Sequence, residues 1–150
     1  MLKTKIAVFV SGGGTNFEAL INAQENGKIP HGEIVLMVSS SKTAYALKRA
    51  ENHGIKSVVC SKKELGSQES FEEEILKNLK ENDIQLIVLA GFMSILSNEF
   101  TKKYENRIIN IHPSLIPSFC GEGFYGLHVH EAALKKGVKV TGATVHIVNE

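Results

Sequence analysis

The sequence predicts a doubly wound, mostly parallel α/β sheet with helices on both faces. Three observations carry this. Short, nearly continuous apolar runs recur, Lys5–Val10 and Ile84–Ala90 above all, as expected of strands covered on both sides. Between them lie segments with apolar residues at helical spacing, such as Phe17, Leu20 and Ile21, then Phe71, Ile75 and Leu79. Strand and helix signals alternate almost throughout, the pattern of parallel strands joined by crossover helices.

The elements follow in order. Residues 5–10 form a strand, residues 16–26 a helix, and Gly27 is its C-cap. A second strand spans 33–39. Thr43 caps a helix that runs to about His53 and is closed by Gly54. Residues 55–60 are a third strand. Ser67 opens a helix across Phe71, Ile75 and Leu79, and 84–90 is the fourth and most apolar strand. A short helix near 97–104 leads to a strand at 107–111. Residues 113–126 read as a loop rich in proline and glycine, followed by a helix at about 128–136 and a strand from Val138 to Val148. No repeat, low-complexity tract or linker interrupts this, so residues 1–150 read as one domain.

Composition narrows the function classes. At 43% hydrophobic the chain can fill an ordinary core. Its 17 basic and 16 acidic residues leave a net charge of +1 with no basic face, which argues against nucleic acid as a partner. Glu72-Glu73-Glu74 is the one notable charge run and reads as a solvated helix face. Cys60 and Cys120 form neither a metal nor a disulfide framework, and a reducing cytoplasm is expected. Neither a signal-peptide pattern nor an apolar run near about 20 residues is present, so no membrane association is expected.

The chemistry concentrates in three segments. In Asn110-Ile111-His112-Pro113 an amide and an imidazole stand two residues apart on a strand, which places both on one face. Pro113 ends that strand because it cannot donate to the ladder. Such a pair suits a carbonyl that becomes an oxyanion: the amide holds the oxygen, and the imidazolium stabilises charge or moves a proton. Gly12-Gly13-Gly14, between a strand and a helix, suggests a phosphate cradle, with Thr15 and Asn16 adding donors and capping the helix. The bland alternative is a tight turn that needs only glycine's backbone freedom. A dinucleotide site would require glycine where Phe17 stands and an acid where the second strand ends Ser39-Ser40-Ser41. The third segment, Gly91 to Leu96, reads blandly as a strand end with a hydrophobic loop, and its apolar walls would also suit a flat ring. Among the other histidines, His31, His53 and His130 read as surface residues and His146 as a core or supporting one. Their scatter, without matching carboxylate spacing, indicates no metal site. Cys120 reads as a bystander thiol.

These segments, Ser11-Gly12-Gly13-Gly14-Thr15-Asn16, Leu89-Ala90-Gly91-Phe92-Met93-Ser94-Ile95-Leu96 and Asn110-Ile111-His112-Pro113-Ser114-Leu115-Ile116-Pro117, resemble in order and spacing the folate-dependent formyltransferases. The resemblance extends from Lys5 to Glu150 and points to the glycinamide ribonucleotide branch of purine synthesis. It implies a Rossmann-like formyltransferase fold and transfer of a formyl group from 10-formyltetrahydrofolate to the amine of glycinamide ribonucleotide, without a metal. It assigns catalysis to Asn110 and His112, and the substrate phosphate to Gly14, Thr15 and Asn16. It assigns the folate side to Met93, Ser94, Ile95, Leu96, Asn110 and Gln68, with Leu89 and Phe92 behind them, and His128 to the neighbourhood of the substrate amine. Ser94 and Gln68 depart from the basic residues found there in other members, which leaves the hold on the folate's acidic tail open. In the family a catalytic aspartate in an Asp-Gly-Gly-like turn, a further strand and a C-terminal helix follow the position of Glu150. The expectation is therefore a domain short of that part, in which activity depends on the aspartate. A cytoplasmic location and small-molecule partners are expected, and a homodimer is allowed. The alternatives are methionyl-tRNA formylation, formyltetrahydrofolate hydrolysis, or phosphate-ligand binding without turnover.

Overall fold

The computed structural model describes residues 2–112 and 144–148. Along the chain come β1 (Thr4–Val10), α1 (Thr15–Glu25), β2 (Gly32–Ser39), α2 (Ala46–Asn52), β3 (Lys56–Val59), α3 (Lys62–Leu65) and α4 (Gln68–Glu81). Then follow β4 (Leu86–Leu89), α5 (Asn98–Lys103), β5 (Ile108–His112) and β6 (Thr144–Ile147). The strands form one sheet in the order β3-β2-β1-β4-β5-β6. The first five are parallel, and β6 runs antiparallel to β5. This is the mostly parallel α/β sheet that the alternating signals predict.

The two-residue period of β1 explains both layers. Ile6, Val8 and Val10 face one way, into a cluster with Phe17 and Ile21 of α1 and Ala46 and Ala50 of α2. Ala7 and Phe9 face the other way, into a cluster with Phe71, Ile75 and Leu79 of α4 and Phe100 of α5. Both faces are therefore apolar, and the strand reads as a continuous hydrophobic run. Each fully buried large side chain contributes about 1.5–3 kcal/mol relative to exposure.

Helix ends follow local chemistry. Ser67 caps α4 by accepting from Ser70 N–H at 3.1 Å, and Ser97 caps α5 by accepting from Phe100 N–H at 3.2 Å. Gly27, at φ 74°, closes α1: Lys28 N–H reaches Ala23 C=O at 2.9 Å and Gly27 N–H reaches Gln24 C=O at 3.1 Å.

Several expectations need correction. Thr43 does not cap α2, which begins at Ala46 behind Tyr45 with no side-chain cap. Its hydroxyl is engaged instead by Ser41 Oγ at 2.9 Å, while Ala46 N–H donates to Gly12 C=O at 3.2 Å, so docking on the glycine turn sets the start of this helix. The short helix α3 is an unforeseen element, capped by Ser61, which accepts from Glu64 N–H at 3.5 Å. The run Glu72–Glu74 is not a uniformly solvated face, because Glu72 is buried. Of the expected strand 138–148 only β6 falls within the described residues. The loop 113–126 and helix 128–136 lie outside them.

Phe71 sits at the centre of the second cluster, fully buried and stacked on Phe92 at 6.5 Å between centroids. Phe71→Ala should lower unfolding free energy by about 3–5 kcal/mol, read from urea midpoints at unchanged m-value.

Candidate active site

Strand order reverses between β1 and β4. β1 leads through α1 to β2 on one side, and β4 lies on its other side with β5 beyond. Open α/β sheets bind ligands at the carboxyl ends of strands flanking such a switch point. Ser11, the residue after β1, joins those ends. Its N–H donates to Gly91 C=O at 3.2 Å, its Oγ accepts from Met93 N–H at 2.7 Å, and it shares a 2.5 Å hydrogen bond with Ser40 Oγ beyond β2. One side chain thus pins the glycine turn and the segment after β4 to the same spot.

The glycine turn is held from behind by α2. Gly12 C=O accepts from Ala46 N–H, and Gly13 C=O accepts from Arg49 Nε at 2.7 Å. Gly14 is the N-cap of α1 at φ 75°, and a Cβ there would lie 2.7 Å from Ala46 Cβ. Gly14 is thus demanded twice, by conformation and by contact. A Cβ at Gly12 or Gly13 would meet nothing within 4 Å, so the space beside the turn is open. Thr15 and Asn16 do not cap α1 as expected. They form its first turn, both exposed, because Gly14 occupies the cap. The first intrahelical bond runs from Glu18 N–H to Gly14 C=O. The N–H groups of Thr15, Asn16 and Phe17 therefore lack a partner within the helix and, with the helix dipole, favour an anion.

An acid in that first turn, Glu18, would oppose an anion. It is compensated. Arg49 Nη1 lies 3.8 Å from Glu18, with its guanidinium 5.0 Å from the Tyr45 ring centroid, and His53 Nε2 lies 2.9 Å from Glu18 Oε2. His53 Nδ1 meets Glu25 at 3.1 Å. His53 is thus no solvated residue. Its pKa is raised above the ordinary 6.5, chiefly by the Glu18 hydrogen bond; partial desolvation opposes this, and Glu25 adds to it.

The segment after β4 divides by direction. Phe92 turns inward, edge-on to Phe9 at 5.2 Å and stacked on Phe71, and Leu96 packs on the same cluster. Met93 and Ile95 stay 50% and 82% exposed, so they offer the apolar wall, with Ser94 partly buried between them. Gln68 of α4 reaches this segment: its Nε2 donates to Ile95 C=O at 2.9 Å and to Glu72 at 2.7 Å.

Asn110 pairs in register with Leu89 of β4, so it stands beside the start of that segment. Across the other ladder it opposes His146, and Asn110 Nδ2 donates to His146 Nε2 at 3.2 Å. The backbone of His112 continues β5 two residues on, opposite Thr144. His128 and Cys120 lie outside the described residues. Cys60 is buried, and desolvation, aided by the charge of Glu74, pushes its thiol up to about 11. Among the described residues no group of three or more His, Cys, Asp or Glu could hold a metal.

A family profile described as formyl transferase matches residues 4–150. This chain belongs to the formyl transferase family. The formyl transferase chain is 47% identical over 148 residues to the chicken trifunctional purine biosynthetic protein adenosine-3, covering 99% of itself and 14% of that protein. It is 38% identical over 146 residues to the phosphoribosylglycinamide formyltransferase of Haemophilus influenzae, covering 97% of itself and 66% of that one. The crystal structure of phosphoribosylglycinamide formyltransferase from Brucella melitensis superposes with a TM-score of 0.89 at 42% identity, over 99% of this chain and 74% of that one. The chain thus spans about two thirds of the bacterial relative and a seventh of the trifunctional one.

Arg49, Glu72 and the linking role of Ser11 escaped the sequence reading. A signal for the first did exist: Tyr45, Arg49 and His53 recur every four residues along α2, opposite Glu18 and Glu25 seven apart on α1. Two predictions follow from the turn. Gly14→Val should cost about 2–4 kcal/mol of stability from left-handed strain and overlap with Ala46, whereas Gly13→Ala should leave the thermal midpoint near that of the parent. Because the folded pKa of His53 is raised, its stabilising contribution is complete below pH 6.5 and is lost as pH rises through the folded value. His53→Gln should flatten that part of the stability–pH curve, measured by denaturation from pH 5.5 to 8.5.

Proposed function

We propose that this protein transfers a formyl group from 10-formyltetrahydrofolate to the amine of glycinamide ribonucleotide. The observation that carries the reading is the juxtaposition at one switch point of an open, glycine-led helix N-terminus and the strand end bearing Asn110 and His112. The family membership supports it. The helix N-terminus suits a phosphomonoester, through the N–H groups of Thr15 and Asn16 beside Gly14. Met93 and Ile95, with Ser94 and Leu96, suit the folate ring side, and Gln68 steadies the backbone there.

The chemistry needs an acceptor for developing charge. The amine attacks the formyl carbon, forming a C–N bond and a tetrahedral oxyanion. Collapse breaks the bond from that carbon to folate nitrogen, which gains a proton as the new amide loses one. Asn110 Nδ2 carries two hydrogens; one is directed at His146 Nε2, which orients the amide and leaves the second for the oxyanion. His112 as imidazolium stabilises the oxyanion and moves the proton.

In the full-length protein, Asn110→Ala should lower kcat about 100- to 1,000-fold and His112→Ala about 100-fold or more, with little change in substrate affinity. The pH–rate profile should contain a group near neutrality that vanishes in His112→Ala. Normal kcat in His112→Ala overturns the mechanism. Tight binding of glycinamide ribonucleotide without turnover in the parent selects a phosphate-ligand module instead.

A further inference from the structure

Glu72 is a buried carboxylate that the proposed reaction does not use. It sits on α4, 9% exposed, whereas Glu69 and Glu73 are exposed and Glu74 is half-buried. Three donors converge on it. Ser97 Oγ donates to Oε1 at 2.5 Å, Ser97 N–H to Oε2 at 2.6 Å, and Gln68 Nε2 to Oε2 at 2.7 Å. Gln68 donates in addition to Ile95 C=O, and Ser97 caps α5. Burial alone would push the carboxyl up. The Ser97 hydroxyl, the Ser97 N–H, Gln68 and the charge of Lys103 outweigh it, so the group is held below the ordinary carboxylate range and stays ionised.

The geometry explains why a charge is kept there. Residues 91–97 leave β4 and must present Met93 and Ile95 to the cleft. At the near end Ser11 accepts from Met93 N–H. Phe92 and Leu96 anchor the middle in the core. At the far end Ile95 is tied to Glu72 by way of Gln68 and Ser97 is tied to it directly, while Ser97 also caps α5 and its carbonyl accepts from Thr101. Only an ionised carboxylate offers acceptors alone, and all three groups aimed at it are donors. A neutral amide there would point its own N–H₂ at one of them.

We propose that Glu72 is a positioning residue that sets the folate-side wall by clamping residues 95–97 through Ser97 and Gln68. This rests on the folate reading given above and adds a second, buried layer to it. The clamp lies behind the wall, so its loss misplaces Ile95 and the adjoining backbone without touching the glycine turn. A displacement of about 1 Å can cost 100-fold in a well-placed site. A partial loss is expected here, because Ser11 and Phe92 still hold the near end.

The test compares Glu72→Gln, Glu72→Asp and Leu76→Ala in the full-length protein. Leu76 lies one turn along α4 and packs on the core without joining the clamp, so its variant reports simple helix destabilisation. Glu72→Gln should raise the Kd for tetrahydrofolate, by calorimetry, and the KM for 10-formyltetrahydrofolate about 10-fold. The KM for glycinamide ribonucleotide should stay within about twofold. Amide exchange at residues 95–97 should quicken while that of β1 does not. Glu72→Asp, which keeps the charge, should recover part of the affinity. Unchanged folate Kd in Glu72→Gln overturns the clamp while leaving the functional reading standing. Equal loss for both substrates, or the same loss in Leu76→Ala, overturns it as well, in favour of a merely structural role. Failure of the parent to bind tetrahydrofolate overturns the functional reading, and the clamp's role with it.

Discussion

The hydroxyl and amide of Ser11 hold together three pieces of chain that hydrophobic packing alone leaves free: the turn after β1, the residue after β2 and the segment after β4. The strands beneath are fixed by burial on both faces, but their carboxyl ends emerge where apolar cover stops. From there polar contacts decide the path of the backbone. A two-atom side chain close to the main chain suits that place, since it accepts and donates with little rotamer freedom to lose. Any residue without the hydroxyl would leave Met93 N–H without its partner, at a cost of about 1–3 kcal/mol if shielded from water.

The charges around α1 show a second dependence. A helix N-terminus attracts anions, and a carboxylate in its first turn gives the helix a stabilising contact of its own. Glu18 fills that role and would compete with a bound phosphate. Arg49 and His53 draw the acid toward α2, and Arg49 also grips Gly13 C=O. The helix is thereby stabilised without the acid's full field falling on the open N–H groups. Tyr45 beneath the guanidinium keeps Arg49 from swinging to solvent.

The sheet was legible because its causes are local. Continuous apolar runs, helical spacing and the serine cap at Ser67 operate within a few residues, and they emerged where expected. Thr43 misled because a threonine before a helical pattern is an ordinary cap, and only the tertiary contact between Ala46 and Gly12 shows that the helix starts later. Glu72 misled for the opposite reason. Three acids in a row look solvated, yet helical geometry turns one of every three or four residues inward, and this one finds Ser97 twenty-five residues away. His53 likewise acquires its partners from another helix. At the candidate site, the positions of Asn110 on β5 and of the glycine turn between β1 and α1 were readable, because strand and turn patterns are local. What supports them was not, because support is a relation between distant segments.

That distinction bears on the role proposed for Asn110. An amide on a strand can rotate about its last torsion, and a rotating donor stabilises an oxyanion poorly, since reorganisation must occur during reaction. β6 runs antiparallel and returns His146 directly opposite Asn110, where the ring nitrogen takes one amide hydrogen. An added parallel strand would reach this position only after a crossover connection, and the ladder would present a different register. The change of strand direction at the sheet edge therefore has a local consequence: it supplies the acceptor that fixes Asn110. In the proposed reaction Asn110 is a donor oriented in advance by His146, and the strand that looks like an edge addition to the described sheet would then belong to the preorganisation of the site.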